Sequence, residues 1–148
     1  MEAACYAFPI VEPYPLRLPP GEDLRRALET AVAAHACDAA FVLGGIGSLG
    51  VTCLRLAAAA HPHALEGPVE ILTLAGTIAP GGSHLHMSVA DAQGRVQGGH
   101  VAYGCMVRTT AEVLVVLLPE WSFSRERDVA TGYAELVVRP KRFGSGPA

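Results

Sequence analysis

The chain has 148 residues, a formal net charge of −3 and 51% hydrophobic residues, enough for one domain with a core and short for two. Its 14 acidic against 11 basic side chains leave no excess positive field to gather phosphate backbones, which disfavours direct nucleic-acid binding. No apolar run approaches the about 20 residues of a membrane span, and the opening residues lack the basic-then-apolar pattern of a secretory leader, so the expected location is cytoplasmic.

Residues 1–14 read as a proline-rich lead-in, residues 15–140 as one domain and residues 141–148 as a C-terminal tail. A short strand over 16–18 stops at Pro19-Pro20-Gly21, where the chain must turn. From 22 to 35, Leu24, Ala27, Leu28, Ala31 and Val32 recur at helical spacing, and Glu22 and Asp23 sit where the macrodipole favours negative charge. Buried strands are predicted over 39–43 and 51–56, joined by a tight glycine-permitted connection over 44–50. Gly45, Gly47 and Gly50 formally spell G-x-G-x-x-G, but β-rich sequence follows, and a dinucleotide site needs a helix to open there.

His61-Pro62-His63 reads as an exposed loop, since its proline breaks regular structure. A long strand follows over 69–78, with Glu70, Leu72 and Leu74 on one face by simple alternation. Further strands are predicted over 111–118 and 134–138, with Arg125-Glu126-Arg127-Asp128 as a polar, exposed stretch between them. One helix among many strands defines an α+β domain with a central, largely antiparallel sheet. Cys5, Cys37, Cys53 and Cys105 form no C-x-x-C pair and read as reduced, packed thiols. Only 17% of residues are charged, which leaves apolar surface for other subunits to cover.

The most informative segment is the hairpin that carries three histidines. His84 and His86 are two residues apart, so on a strand both face one way and Leu85 the other. The turn Asp91-Ala92-Gln93-Gly94 suits a three-residue loop with Gly94 at the position of positive φ. Closing it with Asp91 opposite Arg95 places His86 opposite His100, with Cβ atoms about 5 Å apart, and His84 on the diagonal at about 7 Å. A slip of one residue would send His100 to the other face.

Three imidazoles on one face make a ligand set for zinc or a similar divalent ion, with a fourth position left open. Gly81, Gly82, Gly98 and Gly99 flank the cluster and clear room for a ligand or another chain. A structural alternative has the glycines permitting sharp curvature while the histidines hydrogen-bond at a subunit interface, and both can hold. Glu70, Glu112 and Glu135 are candidate acid/base groups without a placement, so no catalytic residue is assigned.

Five segments then form an ordered pattern: Gly21-Glu22-Asp23-Leu24, Gly45-Ile46-Gly47-Ser48, Glu70-Ile71-Leu72-Thr73-Leu74-Ala75-Gly76, His84-Leu85-His86, and Asp91-Ala92-Gln93-Gly94-Arg95-Val96-Gln97-Gly98-Gly99-His100. This pattern resembles the PPC domain, the "plants and prokaryotes conserved" family related to plant AT-hook nuclear-localised proteins. The resemblance implies a compact fold with a central antiparallel sheet and flanking helix, assembly as a homotrimer, and no established activity for prokaryotic members. It also implies that the His-x-His and Gly-Gly-His elements, here His84, His86 and His100, are metal ligands.

In plant members a Gly-Arg-Pro hook outside the domain grips DNA, whereas Arg139-Pro140-Lys141-Arg142 here lacks that core. Three functions follow as expectations: a trimeric metal-binding protein, a DNA-associated regulator acting through oligomerisation, or a metal-dependent enzyme on a small molecule. A pocket beside the histidines holding Glu70 or Arg55 would favour the enzyme.

Overall fold

The computed structural model describes residues 11–141. Apolar alternation drives most of the described chain into strands: β1 (Glu12–Leu18), β2 (Ala40–Arg55), β3 (His63–Ala79), β4 (Gly82–Ala90), β5 (Val96–Val101), β6 (Met106–Leu117), β7 (Trp121–Arg127) and β8 (Ala134–Pro140). The one helix among the described residues, α1 (Leu24–Ala34), starts at the Asp23 cap, whose carboxylate accepts from the Arg26 N–H at 3.1 Å. It presents Leu24, Leu28 and Val32 to the sheet. With one short helix the fold is mostly β, so the expected α+β balance tilts strongly to the sheet.

Six strands form one antiparallel sheet in the order β1-β6-β2-β3-β4-β5, and β7 and β8 form a separate ribbon. β1 begins within the expected lead-in; its prolines, Pro13 and Pro15, fit an edge strand that among the described residues pairs only with β6. The C-terminal end of β2 also pairs with β5, through Leu54 with Val101 and Arg55 with His100. Strands β2, β3, β4 and β5 therefore close into a ring, filled by Leu54, Leu74, Leu85, Met87 and Val101 and covered by α1.

Two expectations are corrected here. The glycine-rich stretch over 44–50 is no connection between strands; β2 runs straight through it, with register shifts against β6 between Val42 and Gly44, Gly47 and Leu49, and Leu49 and Val51. Glycine tolerates these bulges, and at Gly47, where φ is +144°, a Cβ would run into the Thr110 carbonyl. Strand β3 starts at His63, so that residue is not in a loop, and a bulge between Ile71 and Thr73 breaks its alternation. Leu74 is buried while Glu70 and Leu72 are exposed, so the three do not share a face.

The β7–β8 ribbon packs on the outer surface of β3. Phe123 is buried with Ala39 and Ala79, and its ring meets Phe41 edge-on at 5.6 Å. Arg125, two residues along the same strand, is drawn in as well and donates to the Thr77 hydroxyl at 2.9 Å. That side chain belongs to the polar stretch over 125–128 expected to be exposed.

Candidate metal centre

The hairpin forms in the predicted register. The Gly94 N–H donates to the Asp91 carbonyl at 2.9 Å, Gly94 has φ of +74°, and the Asp91 N–H closes the turn on the Arg95 carbonyl at 3.0 Å. The Asp91 carboxylate also accepts from the Gln93 and Arg95 N–H groups, at 2.9 and 3.0 Å, and its other oxygen pairs with the Arg95 side chain. These bonds hold the Asp91 carboxyl below the usual range. From that turn, Ala90 faces Val96, Ser88 faces Gly98 and His86 faces His100.

Leu85 and Met87 fill the ring, which sends His84 and His86 to its outside, where His100 joins them. His84 Nε2, His86 Nε2 and His100 Nδ1 lie 3.1 Å from one another in all three pairings. Hydrogen bonding cannot account for this triangle. Each meeting nitrogen either carries a proton or bears a lone pair, so among three atoms at least two are alike and face each other donor to donor or lone pair to lone pair. A shared cation would resolve the conflict, because it could take all three lone pairs at once. Nitrogens about 2.0–2.1 Å from a tetrahedral zinc would stand about 3.3 Å apart, close to the observed spacing.

The charge state suits a cation too. Burial, then the Arg125 charge, His86 and Arg55, hold His84 below its ordinary value, partly opposed by Glu135; burial, Arg55 and the other two histidines do the same for His100. Both rings are therefore biased to the neutral, ligating form.

The strands that carry the cluster are tied together by side chains of α1. Glu29 of α1 accepts from Arg25 at 3.0 Å, from the Ser83 hydroxyl at 2.5 Å and from the Tyr103 hydroxyl at 2.8 Å. Burial raises the Glu29 pKa, but these hydrogen bonds outweigh it and the carboxyl is held low. Arg25 continues to the carbonyls of Val101 and Ser83, the neighbours of His100 and His84.

Beside the histidines lies a cleft of about 990 Å³ lined by His84, His100, Arg55, Arg125, Tyr133 and Glu135, among others. Of the candidate acids, only Glu135 is brought there. Glu70 is exposed opposite Ser48 and Ala90, and Glu112 lines a different hollow, bordered by β1, β2 and β6 of the same sheet. Among the flanking glycines, Gly98 and Gly99 clear space for the chain's own strands: a Cβ on Gly99 would stand 2.8 Å from the Arg55 carbonyl oxygen. Gly81 instead sits in the turn between β3 and β4 and Gly82 opens β4, and a Cβ on either would meet nothing within 4 Å.

Of the cysteines, Cys5 lies outside the described residues, while Cys37, Cys53 and Cys105 are free. Burial pushes the Cys105 thiol up to about 11, so it is no nucleophile. Arg125 was not recognised from sequence, although the alternation Trp121, Phe123, Arg125 already put it on the face that Phe123 buries.

Sequence comparison places these features in a family: the model of the Plants and Prokaryotes Conserved (PCC) domain matches residues 7–119. The chain belongs to that family. A hypothetical protein from Salmonella enterica shares 36% identity with this PCC protein and a TM-score of 0.88, over 92% of this chain and 99% of its own. A metal-containing protein from Archaeoglobus fulgidus gives 25% identity and a TM-score of 0.75, over 91% of this chain and 99% of its own. A bifunctional protein GlmU from a Synechococcus strain is 48% identical over 127 residues, 86% of this chain, which spans only 20% of that relative's length.

Proposed function

We propose that this PCC protein binds a divalent transition metal, zinc by the chemistry of the donors, through His84, His86 and His100, and works as a cytoplasmic homotrimer. The observation that carries the metal reading is the triangle of imidazole nitrogens with 3.1 Å sides, which no placement of protons satisfies. The metal-containing relative from Archaeoglobus supports it. When bound, zinc on three imidazoles would polarise a water at its fourth position.

Assembly is supported by an exposed apolar strip on the far side of the sheet. Leu43 and Ile46 are each 59% exposed and border, with Leu16, Val113 and Leu114, a hollow of about 700 Å³. A monomer would leave this strip in water. Free thiols fit a reducing compartment. No helix among the described residues is long and apolar enough to cross a membrane.

A second reading, a metal-dependent enzyme on a small molecule, is favoured by the cleft that holds Arg55 and Glu135 beside the histidines. The regulator reading finds less support, since Arg139 is paired with Glu126 at 2.7 Å and Lys141 with Asp38 at 2.8 Å. Elemental analysis of wild type and His86→Ala after zinc loading, with mass measured in solution, tests the proposal. One zinc per chain in the wild type and none in the variant is expected; a metal-free wild type refutes the metal site, and a monomer at micromolar concentration refutes the trimer.

A further inference from the structure

The histidine cluster sits between two guanidinium groups carried by different parts of the fold. Arg55 lies directly across the strand pair from His100 and shares its face. On the other side, Thr77 lies opposite His84, and Arg125 reaches that threonine from the β7–β8 ribbon. Both arginines line the cleft, and both act electrostatically on His84.

Direct ion pairs leave both charges unneutralised among the described residues. Neither Arg55 nor Arg125 forms an ion pair among the described residues, whereas Arg25, the third arginine of the cleft, is engaged by Glu29 and two carbonyls. Glu135 is the one carboxylate among the lining residues. The cleft thus carries net positive charge in a chain whose formal charge is −3, and a divalent ion on the histidines would add two more charges. Arginine forks match the planar or tetrahedral oxygens of carboxylates and phosphates. An open hollow of about 990 Å³ suits a small molecule.

We propose that this cleft binds a small oxyanion, a phosphate or carboxylate group held between Arg55 and Arg125 on the open side of the histidine cluster. The proposal rests on the metal reading for its full strength, since a bound metal would supply a third positive contact.

The test starts by fixing zinc content through elemental analysis. Inorganic phosphate and, separately, acetate are then titrated calorimetrically into zinc-loaded and chelated protein. Phosphate or acetate should bind once per zinc-loaded chain, and whichever binds more tightly identifies the group. Arg55→Gln and Arg125→Gln should each weaken that binding by about ten- to a hundredfold, the worth of a charge-assisted hydrogen bond, while zinc stays at one per chain. Arg55→Lys and Arg125→Lys keep the charge and should fall between, which covers the case in which a glutamine variant fails to fold.

Full zinc content with no anion binding, or binding unmoved in all the arginine variants, overturns the anion site and leaves the metal reading standing. If the wild type takes up no zinc, the metal reading fails, and the metal-free titrations decide the anion site by whether arginine-dependent binding survives. Preference for duplex DNA over both anions, with a steep salt dependence, also overturns the small-molecule site.

Discussion

Substituting Gly99 by alanine should damage the fold and the metal site together, because this glycine lies where β5 meets β2. A Cβ there would stand 2.8 Å from the Arg55 carbonyl oxygen, 3.3 Å from its carbon and 3.6 Å from the Leu54 Cβ. Ordinary contact begins near 3.4 Å, so strand β5 must retreat from β2 by roughly half an ångström, and the obstacle is backbone, which cannot rotate aside. Overpacking of this kind costs about 1–3 kcal/mol. For a chain of this length each kcal/mol lowers the melting temperature by about 2–4 °C, so a fall of about 2–12 °C is expected in metal-free protein.

The same displacement acts on His100, the next residue, whose nitrogen would have to stay within about 0.2 Å of an ordinary metal–ligand distance to serve as a ligand. Zinc affinity should therefore fall as well. Gly50→Ala is the control, since its Cβ would stand 4.0 Å from the Arg108 Cβ with no strained backbone. Thermal denaturation with and without zinc reads both effects. A Gly99→Ala protein that melts within a degree of wild type and binds zinc equally well would refute the close approach of β5 to β2.

Three further outcomes are expected. His84 and His100 are held below 6.5 in the fold, chiefly by burial, so the unfolded chain takes up protons first as the pH falls. Stability of metal-free protein that is present above pH 6.5 is then lost as the pH drops through the folded values, and urea titrations between about pH 8 and pH 5 should show it; a rise in stability toward pH 5 would contradict the shifts. Glu29→Gln removes a charge that three donors share, and chemical denaturation should show a loss of about 1–2 kcal/mol, discounted for partial exposure; no loss would mean that the network is slack. Ile46→Glu puts a charge into the exposed apolar strip and should yield smaller particles by light scattering, with the melting temperature of the dissociated chain as the check on folding.

What was legible in the sequence was local. The turn chemistry at Asp91 and Gly94 and a period of two together specify which residues of the hairpin face each other, and these signals span only 17 residues from His84 to His100. The path of β2 was hidden, because its glycines carry the composition of a turn while serving as bulges inside one strand. Bulging also defeated the alternation in β3, where the step between Ile71 and Thr73 returns Leu74 to the inside. Pairing of Arg55 with His100, and the reach of Arg125 to Thr77, depend on strands meeting across 45 and 48 residues of chain, for which no local pattern exists.

Ring closure explains why a metal centre would sit at this place and not along an open edge. Strand β5 is only six residues long and contains two glycines, too little to hold an imidazole in place by itself. It is gripped on one side by β4 and on the other by the end of β2, and Arg25 binds the carbonyl next to His100 from the helix. Ser83, beside His84, is bound by the same Arg25–Glu29 pair. The backbones that carry the three histidines are thus fixed relative to one another, so little ordering entropy would remain to oppose the binding of an ion. The same closure carries Arg55 to the rim of the cluster, which means that the feature positioning the three histidines also contributes to the positive field a bound anion would answer.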